Sequence, residues 1–399
     1  MIPYGRQQIE QPDIDAVIAT LKSDWLTSGP CVEEFERQFA DFVGARYAVA
    51  VNSGTAALHL ATMAAGLGPD DRLITSPITF LASANCATYV GATPDFADVN
   101  RASRNLCPKA LEANWLPDTK AVVAVDFAGQ PCDIQGISEV ARRRGAIVIE
   151  DACHGIGSAT SQNGQVIRSG GSEWADITTF SFHPVKTMTT GEGGMLVTNS
   201  DALASKARIL RNHGMTRDTN SFVGLGSEEQ AFQPGPWYYE MQELGFNYRI
   251  NDLQCALGLS QLSRLPQFIR RRQEIVAIYN EAFQDIEFLQ TPAISPNVEP
   301  ELVSWHLYSV EIDFDSIGIS RNEFMINLRE KGIGTQVHYI PVYLQPYYRQ
   351  QYGYLPGKCP EAEAYFCRAL SLPLYSAMTD NDVRTVVNGV TDMCEKANS

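Results

Sequence analysis

Short apolar runs alternate with segments of helical period through the first half of the chain. Tyr47–Val51 (Tyr-Ala-Val-Ala-Val) reads as a buried strand and residues 55–66 as an Ala-rich helix. Arg72–Thr75 is a second strand, followed by a helix over about residues 80–90. Residues 121–126 and 146–151 are the clearest strands, with a helix over 134–144 between them. Two further apolar runs, 177–182 and 195–197, flank a loop rich in Thr and Gly. Near-continuous apolar strands alternating with helices predict an α/β fold with a mostly parallel sheet covered on both faces.

From residue 251 the pattern turns helical to about residue 284, interrupted at Pro266. It reads as two helices, 253–265 and 267–283, that connect domains. A smaller α+β region follows, with strands at 305–314 and 334–339 and helices at 321–331, 361–370 and 380–394. The expected division is a large domain over 1–260, and the connecting helices with a small C-terminal domain over 261–399. Residues 216–239 carry Gly, Pro and aromatics without periodicity and read as a long loop.

Composition narrows the partners. With 399 residues the chain can build two domains and a substantial core. No run approaches the roughly 18–20 apolar residues of a membrane-spanning helix. The start, Met1-Ile-Pro-Tyr-Gly-Arg6, lacks the basic and apolar regions of a signal peptide, so a cytoplasmic location is expected. The net charge of −15 argues against nucleic acid, although it leaves room for a phosphorylated small molecule held by local amides. The nine cysteines are scattered, with no C-x-x-C pair, so neither a zinc site nor a disulfide framework is expected, and no metal.

Chemistry gathers at strand ends. Both strong strands finish in Asp, at 126 and 151, and ligands of open α/β sheets bind outside the carboxyl ends of the strands. Lys186 sits in the Thr/Gly-rich loop between two apparent strands, where a half-buried amine can act as a Schiff-base nucleophile. Asn52-Ser-Gly-Thr-Ala56 joins a strand to a helix and is either a phosphate nest or a capped helix start with Ser53 or Thr55 as N-cap. Asp151 in Asp151-Ala-Cys-His154 would hold a protonated ring nitrogen positive, or else cap the next segment. Phe80, after Pro77, would stack on a planar ring or belong to the core. Gly245-Phe-Asn-Tyr-Arg249 places Asn and Arg among aromatics before a helix. A phosphate nest, a ring stacker, an acid for a pyridine nitrogen and a nucleophilic lysine together are the needs of pyridoxal phosphate. No G-x-G-x-x-G follows an early strand, which argues against a nicotinamide dehydrogenase.

The chain resembles the DegT/StrS family of pyridoxal-phosphate sugar aminotransferases. The resemblance is carried by Leu26-Thr-Ser-Gly-Pro30, Asn52-Ser-Gly-Thr55, Ser76-Pro-Ile-Thr-Phe80, Glu150-Asp-Ala-Cys-His154, Ser181-Phe-His-Pro-Val-Lys186, Gly191-Glu-Gly-Gly194 and Gly245-Phe-Asn-Tyr-Arg-Ile-Asn251. The segments Pro3-Tyr-Gly-Arg-Gln7 and Gln336-Val-His-Tyr-Ile-Pro341 are similar to the PseC-type branch, which aminates a UDP-linked sugar in pseudaminic acid synthesis.

The resemblance implies fold type I, with a mostly parallel mixed sheet in a large domain and a small α+β C-terminal domain. It implies that Lys186 binds the cofactor and shuttles the proton. Asp151 would pair with the pyridine nitrogen, Phe80 would stack on the ring, and His154 would lie near the ring oxygen. Ser53, Gly54, Thr55 and Ser181 would hold the phosphate. Asn247, and with it Arg249, would reach the site of a neighbouring subunit in a homodimer with shared active sites. Tyr4, Leu26, Thr27, Ser28, Gly29, His183, Gln336, His338 and Tyr339 match substrate-contacting segments, with Ser28 standing where the family has Gln in Leu-Thr-Gln-Gly. The implied partners are L-glutamate as amino donor and a UDP-linked keto sugar as acceptor, the latter aminated at C4.

Overall fold

The structure is a computed structural model that describes residues 1–162, 164–224, 235–295 and 298–395. Its main sheet has seven strands: β1 (Tyr47–Val51), β2 (Arg72–Thr75), β3 (Thr93–Phe96), β4 (Thr119–Val125), β5 (Ile147–Asp151), β6 (Ile177–Ser181) and β7 (Gly194–Thr198). They lie in the order β1-β7-β6-β5-β4-β2-β3. The neighbours from β3 through β6 are parallel, and β7 runs antiparallel to both β6 and β1. The carboxyl ends of β1, β2, β4, β5 and β6 therefore share one edge of the sheet.

The alternation of side chains along β4 shows why its run is continuously apolar. Val123 joins a cluster with Ala57, Leu58 and Ala61 of helix α3 (Gly54–Ala64) on one face. Val122 and Ala124 join Ile134, Ile137 and Val140 on the other. Both faces are covered, so neither parity of the strand tolerates a polar residue.

Two early helices went unread in the hydrophobic pattern. In α2 (Pro30–Val43), Val32, Phe35, Phe39 and Val43 are buried at helical spacing, a signal present in the sequence. In α1 (Gln11–Leu21) the only buried residues are Asp13 and Thr20. That helix is anchored by polar bonds instead: Asp13 accepts from Ser260 and Gln261 and pairs with Arg264.

The expected break at Pro266 does not occur. One helix of 32 residues, Asp252–Phe283, runs through it. Proline in a helix interior costs about 3 kcal/mol, and the burial of Leu262, Leu265, Phe268, Ile275 and Tyr279 along this helix offsets that. Residue 260, the expected domain division, lies inside it.

The C-terminal region contains a three-stranded antiparallel sheet of β8 (Leu289–Gln290), β9 (Tyr308–Ile312) and β10 (Ala369–Leu372). Arg321–Glu330, Pro360–Arg368 and Asp380–Glu395 are its longer helices. The strand expected at 305–314 is confined to 308–312, and residues 369–370, expected in a helix, belong to β10. The strand expected at 334–339 is absent: Gln336 makes a single bridge to Ser371. Beyond it the chain leaves β10, and Val337 through Ile340 line a cavity instead. The expected loop at 216–239 is closed at its base by pairing of Met215–Thr216 with Glu240–Met241, and its residues 225–234 lie outside the described residues. Among the described residues no helix is long and apolar enough to cross a membrane.

Candidate active site

A cavity of about 990 Å³ opens at the shared strand edge. Its wall takes residues from the ends of β1, β5 and β6, from the segment after β2, and from the chain around 336–340.

The turn after β1 supplies Asn52, Ser53, Gly54 and Thr55. The reading as a capped helix start holds, with Ser53 rather than Thr55 as the cap. Ser53 is the N-cap of α3, its Oγ accepting from Ala56 N at 3.1 Å, so the helix begins at the cavity wall. A β-carbon at Gly54 would stand 2.8 Å from Cβ of Ser181, 3.2 Å from its Oγ and 3.3 Å from the Cys153 sulfur. Only glycine allows the helix start and the end of β6 to close this cradle.

Asp151 ends β5 and is buried. Its Oδ2 accepts from Ser83 Oγ at 2.6 Å, and its Oδ1 from Cys153 N at 3.1 Å. Ser83 belongs to helix α4 (Ala82–Tyr89), one turn beyond Thr79, whose Oγ1 lies 2.7 Å from the Ser83 hydroxyl. Phe80, at the head of that helix, is 58% exposed while lining the cavity, so it is not a core residue in this chain.

Lys186 follows β6 in a turn where its N–H donates to His183 O at 2.9 Å. Burial lowers its pKa below the ordinary lysine value, while the nearby Cys153 and Asp151 act in the opposite direction. A fraction of neutral amine, the nucleophilic form, is thereby favoured. Three imidazoles surround it: His154, His306 and His338. Burial depresses all three, and the positive charge of Lys186 adds to this; His338 falls to about 3.

Of the substrate residues expected, Tyr4, His183, Gln336, His338 and Tyr339 line the cavity. The rings of Tyr4 and His338 are 5.6 Å apart, and Tyr339 OH is 3.3 Å from His154 Nε2. Leu26, Thr27, Ser28 and Gly29 do not line it. They lie against the start of helix Asp252–Phe283, where Asp252 N donates to Leu26 O and Gly29 N to Asp252 Oδ2. Asn247 and Arg249 also stand outside the lining, beside Asn52 and Asn212. Sequence reading missed Ser83, Cys153, Glu192, Gln254 and His306. For Ser83 the four-residue spacing from Thr79 was a usable signal; for His306 there was none.

One further cluster lies behind the site. Asp126, Cys132 and Glu150 are buried with possible ligand atoms within 4.8 Å of one another. The carboxylates already have partners: Asp126 accepts from Cys132 N and Ser169 Oγ, and Glu150 from Gly170 N and Thr178 Oγ1. Burial raises both carboxyl pKa values, that of Glu150 to about 8, and each carboxyl is pushed further by the other's charge or that of Asp151.

Residues 7–391 match the model of the DegT/DnrJ/EryC1/StrS aminotransferase family. The chain is 44% identical over 398 residues to the spore coat polysaccharide biosynthesis protein SpsC of Bacillus subtilis, covering 99% of this chain and 98% of that one. Among solved structures it superimposes on PseC of Helicobacter pylori, an aminotransferase involved in the biosynthesis of pseudoaminic acid, with TM-score 0.86, 29% identity and 99% of each chain covered. It also matches the PLP-form of the sugar aminotransferase Spr1654 of Streptococcus pneumoniae, with TM-score 0.87, 28% identity and 99% of each chain covered. The architecture is that of fold type I pyridoxal-phosphate enzymes, and by its sequence this chain belongs to the DegT/DnrJ/EryC1/StrS aminotransferase family.

Proposed function

We propose that the chain is a pyridoxal-phosphate-dependent aminotransferase that moves the amino group of L-glutamate to C4 of a UDP-linked 4-keto-6-deoxy-N-acetylhexosamine, a step of pseudaminic acid biosynthesis. The observation that carries the cofactor assignment is the convergence of Lys186, Asp151 and the Ser53–Gly54–Thr55 turn on one cavity. When bound, the cofactor supplies the electron sink for removing and adding a proton at carbon. Ser53, Gly54, Thr55 and Ser181 would hold its phosphate, Phe80 would cover its ring, His154 would lie near the ring oxygen, and the Asp151 carboxylate would meet the ring nitrogen. Ser83 and Cys153 N keep that carboxylate in place. Lys186 Nζ would hold the cofactor covalently, and its amine is the group placed to take and return a proton in the cavity.

Lys186 is the sole Lys or Arg among the described residues lining the cavity. Glutamate carries two carboxylates and a nucleoside diphosphate two charged phosphates, so further positive charge must come from elsewhere. This favours a homodimer in which Asn247 and Arg249, with the segment Leu26 to Gly29, complete the site of a second copy. Tyr4, His183, Gln336, His338 and Tyr339 of the same chain would face the sugar.

The higher identity to a spore coat polysaccharide protein than to PseC supports a second reading, an aminotransferase acting on another nucleotide-linked keto sugar. A panel of UDP- and dTDP-linked keto sugars, offered with glutamate and followed by NMR of the product, separates the two. Amination at C4 of the UDP-linked sugar is expected. Amination of a dTDP-linked 3-keto sugar alone would overturn the sugar assignment and leave the cofactor chemistry standing.

A further inference from the structure

His306 has no role in the assignment above, yet it stands on the cavity wall against His154. The two ring centroids are 4.3 Å apart with planes tilted by 44°, and each residue is only 5% exposed. The backbone that delivers His306 is clamped from several sides. His306 N donates to Ala128 O at 2.9 Å, and Ser304 N to Ser158 Oγ at 2.8 Å. Nη1 of the buried Arg272 donates to the carbonyls of Trp305, His306 and Leu374 at 3.2, 3.2 and 3.0 Å. Gly129, in the left-handed region at φ 97°, lets Ser304 O come so close that a β-carbon would stand 2.2 Å from it. An imidazole delivered this way has a fixed position.

The pair shares a second property. Nδ1 of His154 and Nδ1 of His306 are both buried without a hydrogen-bond partner among the described residues. A proton on such an atom would be a buried donor with nothing to receive it, the rarer kind of unmet buried group. An Nε2–H ring leaves only a lone pair unmet there. For His154 the Nε2 side has a partner, the Tyr339 hydroxyl at 3.3 Å. The titratable and charged groups around the pair are Lys186, His338, Arg272 and the Tyr339 phenol. The cations among them oppose a charged imidazole at either position.

We propose that His306 is a positioning residue which, by packing on His154, holds it as the Nε2–H tautomer; His154 then donates to the Tyr339 oxygen, and the Tyr339 hydroxyl is left to donate its own proton into the cavity. Tyr339 thereby presents a donor and selects an acceptor oxygen on the ligand. Which oxygen receives it rests on the aminotransferase reading; the tautomer itself does not.

The test is histidine ¹⁵N NMR of the full-length protein, recorded with and without added pyridoxal phosphate, with His154 assigned by its loss in His154→Gln. The wild type should show neutral Nε2–H at His154 across about pH 5–8, the range in which an ordinary histidine titrates. His306→Phe, which keeps a packed ring, should leave that signal unchanged. His306→Ala admits water to Nδ1 and should bring either a mixture of tautomers or a titration of His154 into that range. A wild-type His154 that carries its proton on Nδ1, or that titrates, overturns the proposal. So does an unchanged His154 in folded His306→Ala, or an altered one in His306→Phe. Should the alanine variant not fold, the wild-type tautomer and the phenylalanine variant still decide. Because the cofactor-free protein reports the tautomer, this outcome is separate from success or failure of transamination.

Discussion

The hydroxyl of Ser83 donates to Oδ2 of Asp151 at 2.6 Å, tying the carboxylate at the end of β5 to the first turn of α4. Asp151 is thus oriented from two directions, since Cys153 N reaches its other oxygen. A hydrogen bond to a charged group contributes about 1.5–3 kcal/mol. Ser83→Ala should therefore lower kcat by about tenfold or more, with a smaller effect on KM for the sugar, as measured by steady-state kinetics. A wild-type kcat would mean that Asp151 needs no support from α4.

Gly54→Ala tests the cradle. The added methyl group meets Ser181 and Cys153 in a closed space, and overpacking of this kind costs about 1–3 kcal/mol. The variant should melt at a lower temperature and lose pyridoxal phosphate faster on dialysis. Unchanged cofactor retention would move the phosphate away from this turn.

The buried Glu150 carboxyl makes stability depend on pH with a definite sign. Its folded pKa is raised from 4.5 to about 8, so the folded state holds a proton that the unfolded state releases. That contribution is fully present below about pH 4.5 and is lost as pH rises toward 8. The depressed histidines act oppositely: their contribution is present above about pH 6.5 and is lost as pH falls below it. Between about pH 6.5 and 8 Glu150 is the raised carboxyl still titrating, and its share gives the melting temperature a downward slope as pH rises, against the opposite contribution of Lys186, whose pKa is lowered. Glu150→Gln should flatten that slope in thermal melts; an equally steep decline in the variant would assign it to other groups.

Lys186→Ala should abolish transamination and the borohydride-stable attachment of pyridoxal phosphate, followed by absorbance and by mass of the reduced protein. The melting temperature should not fall, because burial already disfavours the ammonium form of this side chain. A variant that still fixes the cofactor covalently would place the attachment on another lysine.

The site residues that could be read from sequence share one physical trait. Ser53, Phe80, Asp151 and Lys186 each follow a short apolar run, and apolar runs mark buried parallel strands whose carboxyl ends line a ligand site. Placement was harder where tertiary contacts outweigh local preference. Pro266 signals a helix end, yet the buried face on both sides of it carries one helix through. Gln336 to Tyr339 has the composition of a strand, but one bridge to Ser371 is all it forms before the chain turns to the cavity. Helix α1 shows little outward sign of itself because its buried anchor is Asp13, held by Arg264, Gln261 and Ser260.

Sequence alone therefore determined the α/β class, every main-sheet strand but Thr93–Phe96, and the residues standing at the carboxyl ends of those strands, since hydrophobic period and turn chemistry are local properties. The tertiary structure decided what those residues meet. The order of the seven strands, the bond from Ser83 to Asp151 and the packing of His306 on His154 join segments distant in the chain. No period or spacing encodes such contacts; they follow from which buried faces close upon one another and which polar atoms must find partners inside.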